Sequence, residues 1–173
     1  MMILKSLEYQ KIIFFLLFVL FSNPVSASSI HLSGKTDAVF LNPDIEFLED
    51  SHAIYTIEDV TKPEMAAEFK QSSKTATSFG YTNSVFWIRF TLINTTTQQL
   101  NRYLELAHPF MKLVDLYYSQ GDKPFVHRFA GLANRSPKNE VGSRNHVFSL
   151  DFSPRSTTQI FMRFENDGPM NFP

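Results

Sequence analysis

The 173-residue chain has no cysteine, which excludes disulfide bridges and thiolate metal sites. It also lacks an excess of either charge. Lys and Arg total 16 against 17 Asp and Glu, the formal net charge is −1, and no basic run stands out. Nucleic acid is therefore not expected as a partner. Catalytic signatures are absent as well. None of the five histidines (His31, His52, His108, His127, His146) takes the paired spacing of a metalloprotease helix or sits beside a nucleophile. There is no Gly-x-Ser-x-Gly elbow, phosphate-binding loop or dinucleotide fingerprint. Carboxylates crowd Asp44–Asp50 and Glu58-Asp59, but they single out no acid pair and read better as solvated turns and helix caps. Glu165-Asn166-Asp167 offers oxygens to Ca²⁺ but lacks the alternating carboxylate loop, so it reads as a turn. No catalytic residue, metal site or cofactor is expected, and the chain is not expected to be an enzyme.

Long apolar runs are scarce too. Ile12–Phe21 is unbroken but only ten residues long, short of the roughly 20 needed to span a bilayer. Lys5 and Lys11 precede it, Ser22-Asn23-Pro24 break it, and Val25-Ser26-Ala27 offer small residues to a peptidase. That is the layout of a secretory signal over residues 1–27, cleaved after Ala27, and it predicts a periplasmic protein. Cleavage removes two Lys and one Glu and takes the net charge to −2. An uncleaved signal, or spans beyond Pro173, would be the protein's only link to a membrane. Phenylalanine, by contrast, is plentiful at 18, four of them in the first 21 residues. The others suffice for a core without disulfides.

Residues 28–35 are polar and read as a flexible lead-in to a domain over 36–173. Within that domain Phe79–Asn94, FGYTNSVFWIRFTLIN, is the organising stretch. Its aromatic and β-branched composition is that of a strand. Alternation puts Phe86, Ile88, Phe90 and Leu92 on a purely apolar face, and Val85, Trp87, Arg89, Thr91 and Ile93 on the other. The second face, with the only Trp of the chain beside an Arg, predicts a groove or outer surface behind one layer of a sandwich. Short strands are expected at Ala38–Leu41, Ile45–Glu49 and Ile54–Ile57, followed by a short helix that Thr61-Lys62-Pro63-Glu64 opens as a capping box. Lys70–Ser78 reads as a loop. Further strands follow at Arg102–Ala107, Leu113–Tyr118, Phe125–Phe129, His146–Phe152 and Ile160–Phe164. Val114, Leu116, Phe148, Leu150, Phe152, Ile160, Met162 and Phe164 point inward. Gly131–Ser143 is a long polar loop of the kind that often carries function. About eight short strands and one early helix predict an all-β, jelly-roll-like antiparallel β-sandwich. The tail from Asn166 to Pro173 reads as a turn entering a last strand that the domain lacks, and this predicts a fragment with an unpaired edge.

Trp87 and Arg89 are the sharpest binding candidates, since an aromatic ring stacks on the apolar face of a sugar while Arg and carboxylates hold its hydroxyls. Against this stands a structural reading: a cation–π pair, or a cross-strand ladder with Glu105 and Arg163. The structural reading is preferred, because buried Trp and paired Arg mostly serve packing. Tyr103, Tyr117, His127 and Arg128 are further candidates on neighbouring strands, weighed against ordinary packing and surface.

The order and spacing of several segments carry a resemblance. They are Ile45–Asp50 (IEFLED), Tyr55–Val60 (YTIEDV), Phe79–Tyr81 (FGY), Val85–Asn94, Tyr103–Pro109 (YLELAHP), Val114–Tyr118 (VDLYY) and Ile160–Pro173 (IFMRFENDGPMNFP). Residues 36–173 resemble the second type of extracellular domain of bacterial seven-transmembrane receptors with diverse intracellular signalling modules. The resemblance implies a periplasmic β-sandwich similar to carbohydrate-binding modules, set before a seven-helix unit and a kinase, cyclase or other output module. It also implies a ligand-binding sensory role without chemistry, here without the membrane and output modules. A carbohydrate-like small molecule is the expected ligand. The alternative is a free periplasmic interaction module that forms a homodimer or pairs with another sensor domain.

Overall fold

The computed structural model describes residues 29–34, 38–39, 41, 44–72, 77–133 and 143–172. The expected signal peptide, Phe40 of the expected first strand and most of the Gly131–Ser143 loop lie outside the described residues. The fold is an all-β sandwich, as the strand pattern predicts. Its large sheet has the order β3 (Lys70–Gln71), β2 (Glu46–Asp50), β5 (Val85–Asn94), β10 (Thr157–Glu165), β7 (Leu113–Gln120), β8 (Val126–Ala130), with β1 (Ser29–Leu32) also paired to β5. The facing layer holds two antiparallel pairs, β6 (Leu100–Leu106) with β9 (His146–Phe152) and β4 (Thr77–Tyr81) with β11 (Pro169–Phe172).

β5 is the hub. On one side it runs antiparallel to β10 from Phe86 to Ile93. On the other, β2 covers its first half antiparallel and β1 covers Thr91–Asn94 in parallel. The inward residues Phe86, Ile88, Phe90 and Leu92 pack with Val114, Leu116, Ile160, Met162 and Phe164 of their own sheet. Across the sandwich they meet Leu100, Phe148, Leu150, Phe152 and Met170. Every inward assignment read from the alternation lies in this core, since period-2 burial leaves a strand no other way to hide its apolar residues. Asn94 ends β5 and is fully buried. Its Nδ2 donates to the carbonyls of Gln98, Phe152 and Ser153, and its Oδ1 accepts from Thr96, so one amide ties the β5–β6 turn to the end of β9.

Several local expectations are corrected. Ser29–Leu32, inside the expected lead-in, is a strand, because Ile30 and Leu32 alternate into the core. Ala38, Val39 and Leu41 carry no strand. Residues 54–57 form no strand: the Asp50 carboxylate accepts the amides of Ile54 and Tyr55, which turns the chain. A short helix α1 (Ile57–Val60) then starts from a capping box between Thr56 and Asp59. The expected box at Thr61 and Glu64 does not form, because Thr61 ends α1 and its hydroxyl donates back to the Ile57 carbonyl. Pro63 instead opens a 3-10 helix, Pro63–Glu68, as a residue that needs no donor there. Lys70–Gln71 and Thr77–Tyr81, within the expected loop, are strands β3 and β4. Pro169–Phe172, within the tail read as a turn, is a strand paired to β4.

The helical segment between β2 and β3 forms a cap on the outer face of the large sheet. Beneath it Leu48, Val60, Phe69, Val85, Trp87 and Phe161 make a second, smaller core, joined by Tyr55, Ile57, Met65, Tyr117 and Phe125.

Candidate functional site

The cap packs on the outer face over β2, β5 and β10 and reaches Tyr117 of β7. At its edge a shallow cleft of about 410 Å³ is lined by Tyr55, Thr56, Ile57 and Glu58 from the cap and by Trp87, Asp115, Tyr117 and Arg163 from the sheet. Register explains the convergence. Arg163 on β10 lies directly between Trp87 on β5 and Asp115 on β7, and Tyr117 lies opposite His127 on β8.

Aromatic rings floor the cleft and continue beyond it. Tyr117 stacks on Trp87 at 5.9 Å between centroids and on His127 at 4.5 Å, and Phe129 follows at 6.2 Å. Charged groups are interleaved. Asp115 contacts His127 Nε2 at 2.8 Å and Arg163 Nη1 at 3.5 Å, while Arg163 Nη2 reaches Glu165 at 3.5 Å. Lys112 in turn bridges Glu165 and Asp167. Burial first, and then the carboxylates of Asp115 and Glu58, push the Tyr117 phenol up from its ordinary value against the opposing effect of Arg163. Trp87 is fully buried, yet its Nε1–H has no hydrogen-bond partner among the described residues. The Glu58 carboxylate is exposed and makes no ion pair or hydrogen bond with the described residues. Among the same residues, no group of three carboxylates or imidazoles is placed to hold a metal ion.

The candidates read from the sequence divide among four places. Trp87, Tyr117 and Arg163 meet in the cleft. Arg89 shares their face but lies under the cap. Its Nε donates to Glu46 at 2.7 Å, its Nη2 to the Ala66 carbonyl at 2.9 Å, and its guanidinium lies 4.1 Å over the Phe69 ring. The cation–π partner of Arg89 is thus Phe69. Tyr103 and Glu105 belong to β6 in the facing layer, where Tyr103 is 60% exposed and Glu105 accepts from Asn145. The ladder joining Glu105 to Arg163 does not form, because alternation fixes a residue's face but not which sheet it belongs to. Arg128 pairs in register with inward Leu116, donates to the Ser149 carbonyl at 2.6 Å and lies over Phe148, bridging the layers at their margin.

The sequence reading missed the cap wall, namely Tyr55, Thr56, Ile57 and Glu58. A signal was present: Thr56-Ile57-Glu58-Asp59 fits the capping pattern of Ser or Thr followed three residues later by an acid. Read as a strand end, it hid the helix that carries Glu58 to the cleft.

The family model described as 7TMR-DISM extracellular 2 matches residues 42–173, most of the chain and nearly all of the sandwich. No curated protein matches the chain.

Proposed function

The chain belongs to the 7TMR-DISM extracellular 2 family, and from that membership we propose that it is a ligand-binding sensor domain whose site is the cleft between cap and sheet. The family places the domain outside the cytoplasm, as the extracellular part of receptors. The ligand in this reading is a carbohydrate-like small molecule, bound without chemical conversion. One observation carries the proposal: the aromatic residues Tyr55, Trp87 and Tyr117 and the hydrogen-bonding residues Glu58, Asp115 and Arg163 line a single cleft. Stacking takes up the apolar face of a sugar ring while carboxylate and guanidinium groups satisfy its hydroxyls. The secretory signal over residues 1–27, cleaved after Ala27, is the proposed route of export.

The test is calorimetry of the protein with a panel of saccharides and cell-wall fragments. The reading expects heat from at least one, together with a change in Trp87 emission, since Trp87 is the only Trp. Silence across the panel in both signals would remove the sugar reading. A second reading, self-pairing, is supported by β8, an outer strand of the large sheet whose Val126 and Phe129 are exposed. Sedimentation at high concentration tests it, and a strict monomer would end it.

A further inference from the structure

Four enclosed side-chain atoms have no hydrogen-bond partner among the described residues: Trp87 Nε1, Thr158 Oγ1, His108 Nδ1 and His146 Nε2. Indole and hydroxyl groups do not change charge near neutral pH, whereas imidazole does. The other described histidines are placed differently: His31 is exposed, His52 meets Ser51 and His127 meets Asp115. His108 and His146 belong to one end of the sandwich. His146 opens β9 and pairs in register with Leu106 at the end of β6, and His108 follows two residues later. Neither ring makes a hydrogen bond or ion pair with a described residue. The charged groups on the adjoining segments are committed elsewhere or point away. Glu105 alternates to the outer face of β6 and accepts from Asn145, Arg144 is exposed, and Lys112 bridges Glu165 and Asp167.

A neutral imidazole fits such a place and an imidazolium does not. Protonation turns both ring nitrogens into donors, so His146 Nε2 would become an enclosed, unpaired donor on a cation. Burial first, and then His108, hold the pKa of His146 below 6.5, so its neutral form belongs to the closed end. The contribution to stability is complete above 6.5 and is lost as pH falls below it. Strand ends open at lower cost than a whole fold. The segment also reaches the main core, since the His108 carbonyl accepts the amide of Met111, which is fully buried there. We propose that His108 and His146 form an acid-sensitive latch over this end of the sandwich, closed while both rings are neutral and opened locally when they gain protons. The ligand of this site is the proton. A domain outside the cytoplasm thereby registers the acidity of its surroundings. The latch is separate from the cleft, and the inference does not rest on the sugar reading.

The experiment is amide hydrogen exchange of the whole protein, read by residue at about pH 7.5 and about pH 5 and corrected for intrinsic rates. Amides of residues 105–111 and 144–148 are expected to be less protected than those of residues 86–92 in β5. At the lower pH they should lose at least about threefold of their protection. The ceiling is about thirtyfold per ring at pH 5, the most that a group of ordinary value 6.5 can supply on opening. His146→Gln should hold the loss below about threefold. Proton magnetic resonance of the imidazoles needs no variant and decides the matter if His146→Gln does not fold: the His146 ring should titrate below 6.5. An end as well protected as β5 would open only with the whole fold. That result, a loss under about threefold, a loss that survives His146→Gln, or a His146 ring that titrates at 6.5 or above would each overturn the latch.

Discussion

Arg89 offers the sharpest test of how the cap is held. Its guanidinium and the Glu46 carboxylate are only 9% and 10% exposed and meet at 2.7 Å, so this is a buried ion pair. Two further contacts use the remaining face and donors of the guanidinium, the Ala66 carbonyl at 2.9 Å and the Phe69 ring at 4.1 Å. Arg89→Met keeps the aliphatic stem and removes the charge, which leaves the Glu46 carboxylate buried without its cation. Breaking one side of such a pair costs about 3–5 kcal/mol, more than the roughly 1.5–3 kcal/mol of a charged hydrogen bond alone. Desolvation of the stranded carboxylate therefore dominates. Glu46→Leu on top of Arg89→Met removes that stranded charge, and the double variant should recover about 2 kcal/mol relative to Arg89→Met. The assay is urea unfolding followed by Trp87 emission and by far-ultraviolet circular dichroism. Coincident curves license the two-state free energies. A double variant no more stable than Arg89→Met, or an Arg89→Met within about 1 kcal/mol of the parent, would refute the argument. The pair would then be an ornament on a cap held by Trp87, Phe69 and Val60 alone.

Four further outcomes follow from single sites. Hydrogen bonds from Lys62, then from the backbone and hydroxyl of Thr56, hold the Asp59 carboxyl down at about 2 against 3.8 unperturbed. Its support for α1 is therefore complete above about pH 4 and is lost as pH falls toward 2, and Asp59→Asn should remove that part of the acid response in a circular-dichroism titration. Burial, and secondarily His108, lower the pKa of His146 from 6.5, so protonation favours the unfolded chain. Stability should fall as pH drops below about 6.5, and His146→Gln should flatten that slope in thermal melts at stepped pH. Gly131 has φ +123°, and a Cβ there would meet the Lys112 carbonyl and lie 2.9 Å from the Leu113 Cα. Gly131→Ala should cost about 1–3 kcal/mol by denaturant unfolding, and a neutral result would show that the turn yields. Trp87→Ala should cost about 3–5 kcal/mol, as for any fully buried large aromatic, so it is a poor probe of binding.

How much of this was legible in the sequence depended on how local the signal was. The main core was legible because a strand states its inward face in its own alternation. Val114, Leu116 and Tyr118, or Phe148, Leu150 and Phe152, need no partner to be recognised. Sheet membership was not legible. Tyr103 and Glu105 alternate as cleanly as Tyr117 and Asp115, yet β6 lies in the facing layer and β7 in the large sheet. Nothing within seven or eight residues of a strand records which neighbours it pairs with. β1 was missed because its four residues hold only two apolar positions, Ile30 and Leu32, which register with β5 makes useful. The cleft was half legible. Its sheet wall came from parity, but its cap wall depended on choosing between two overlapping helix starts. Asp59 decided it, since its carboxylate takes both the amide and the hydroxyl of Thr56.

β5 itself carried a clue to the cap. An outer strand face facing water should be polar at most positions, yet Val85, Trp87 and Arg89 are all buried beneath residues 55–69. Apolar composition on both faces of a strand in an antiparallel sheet requires cover on both sides, and in this chain the only segment between β2 and β3 supplies it. That arrangement gives Trp87 two neighbourhoods: it belongs to the second core and it borders the cleft. A ligand seated there touches the cap through Tyr55 and Glu58 and the sheet through Asp115, Tyr117 and Arg163. Binding would therefore hold the cap to the sheet, acting with the Arg89–Ala66 tether on its other flank. A ligand that favours the seated cap shifts its population by its differential affinity for that state and no more.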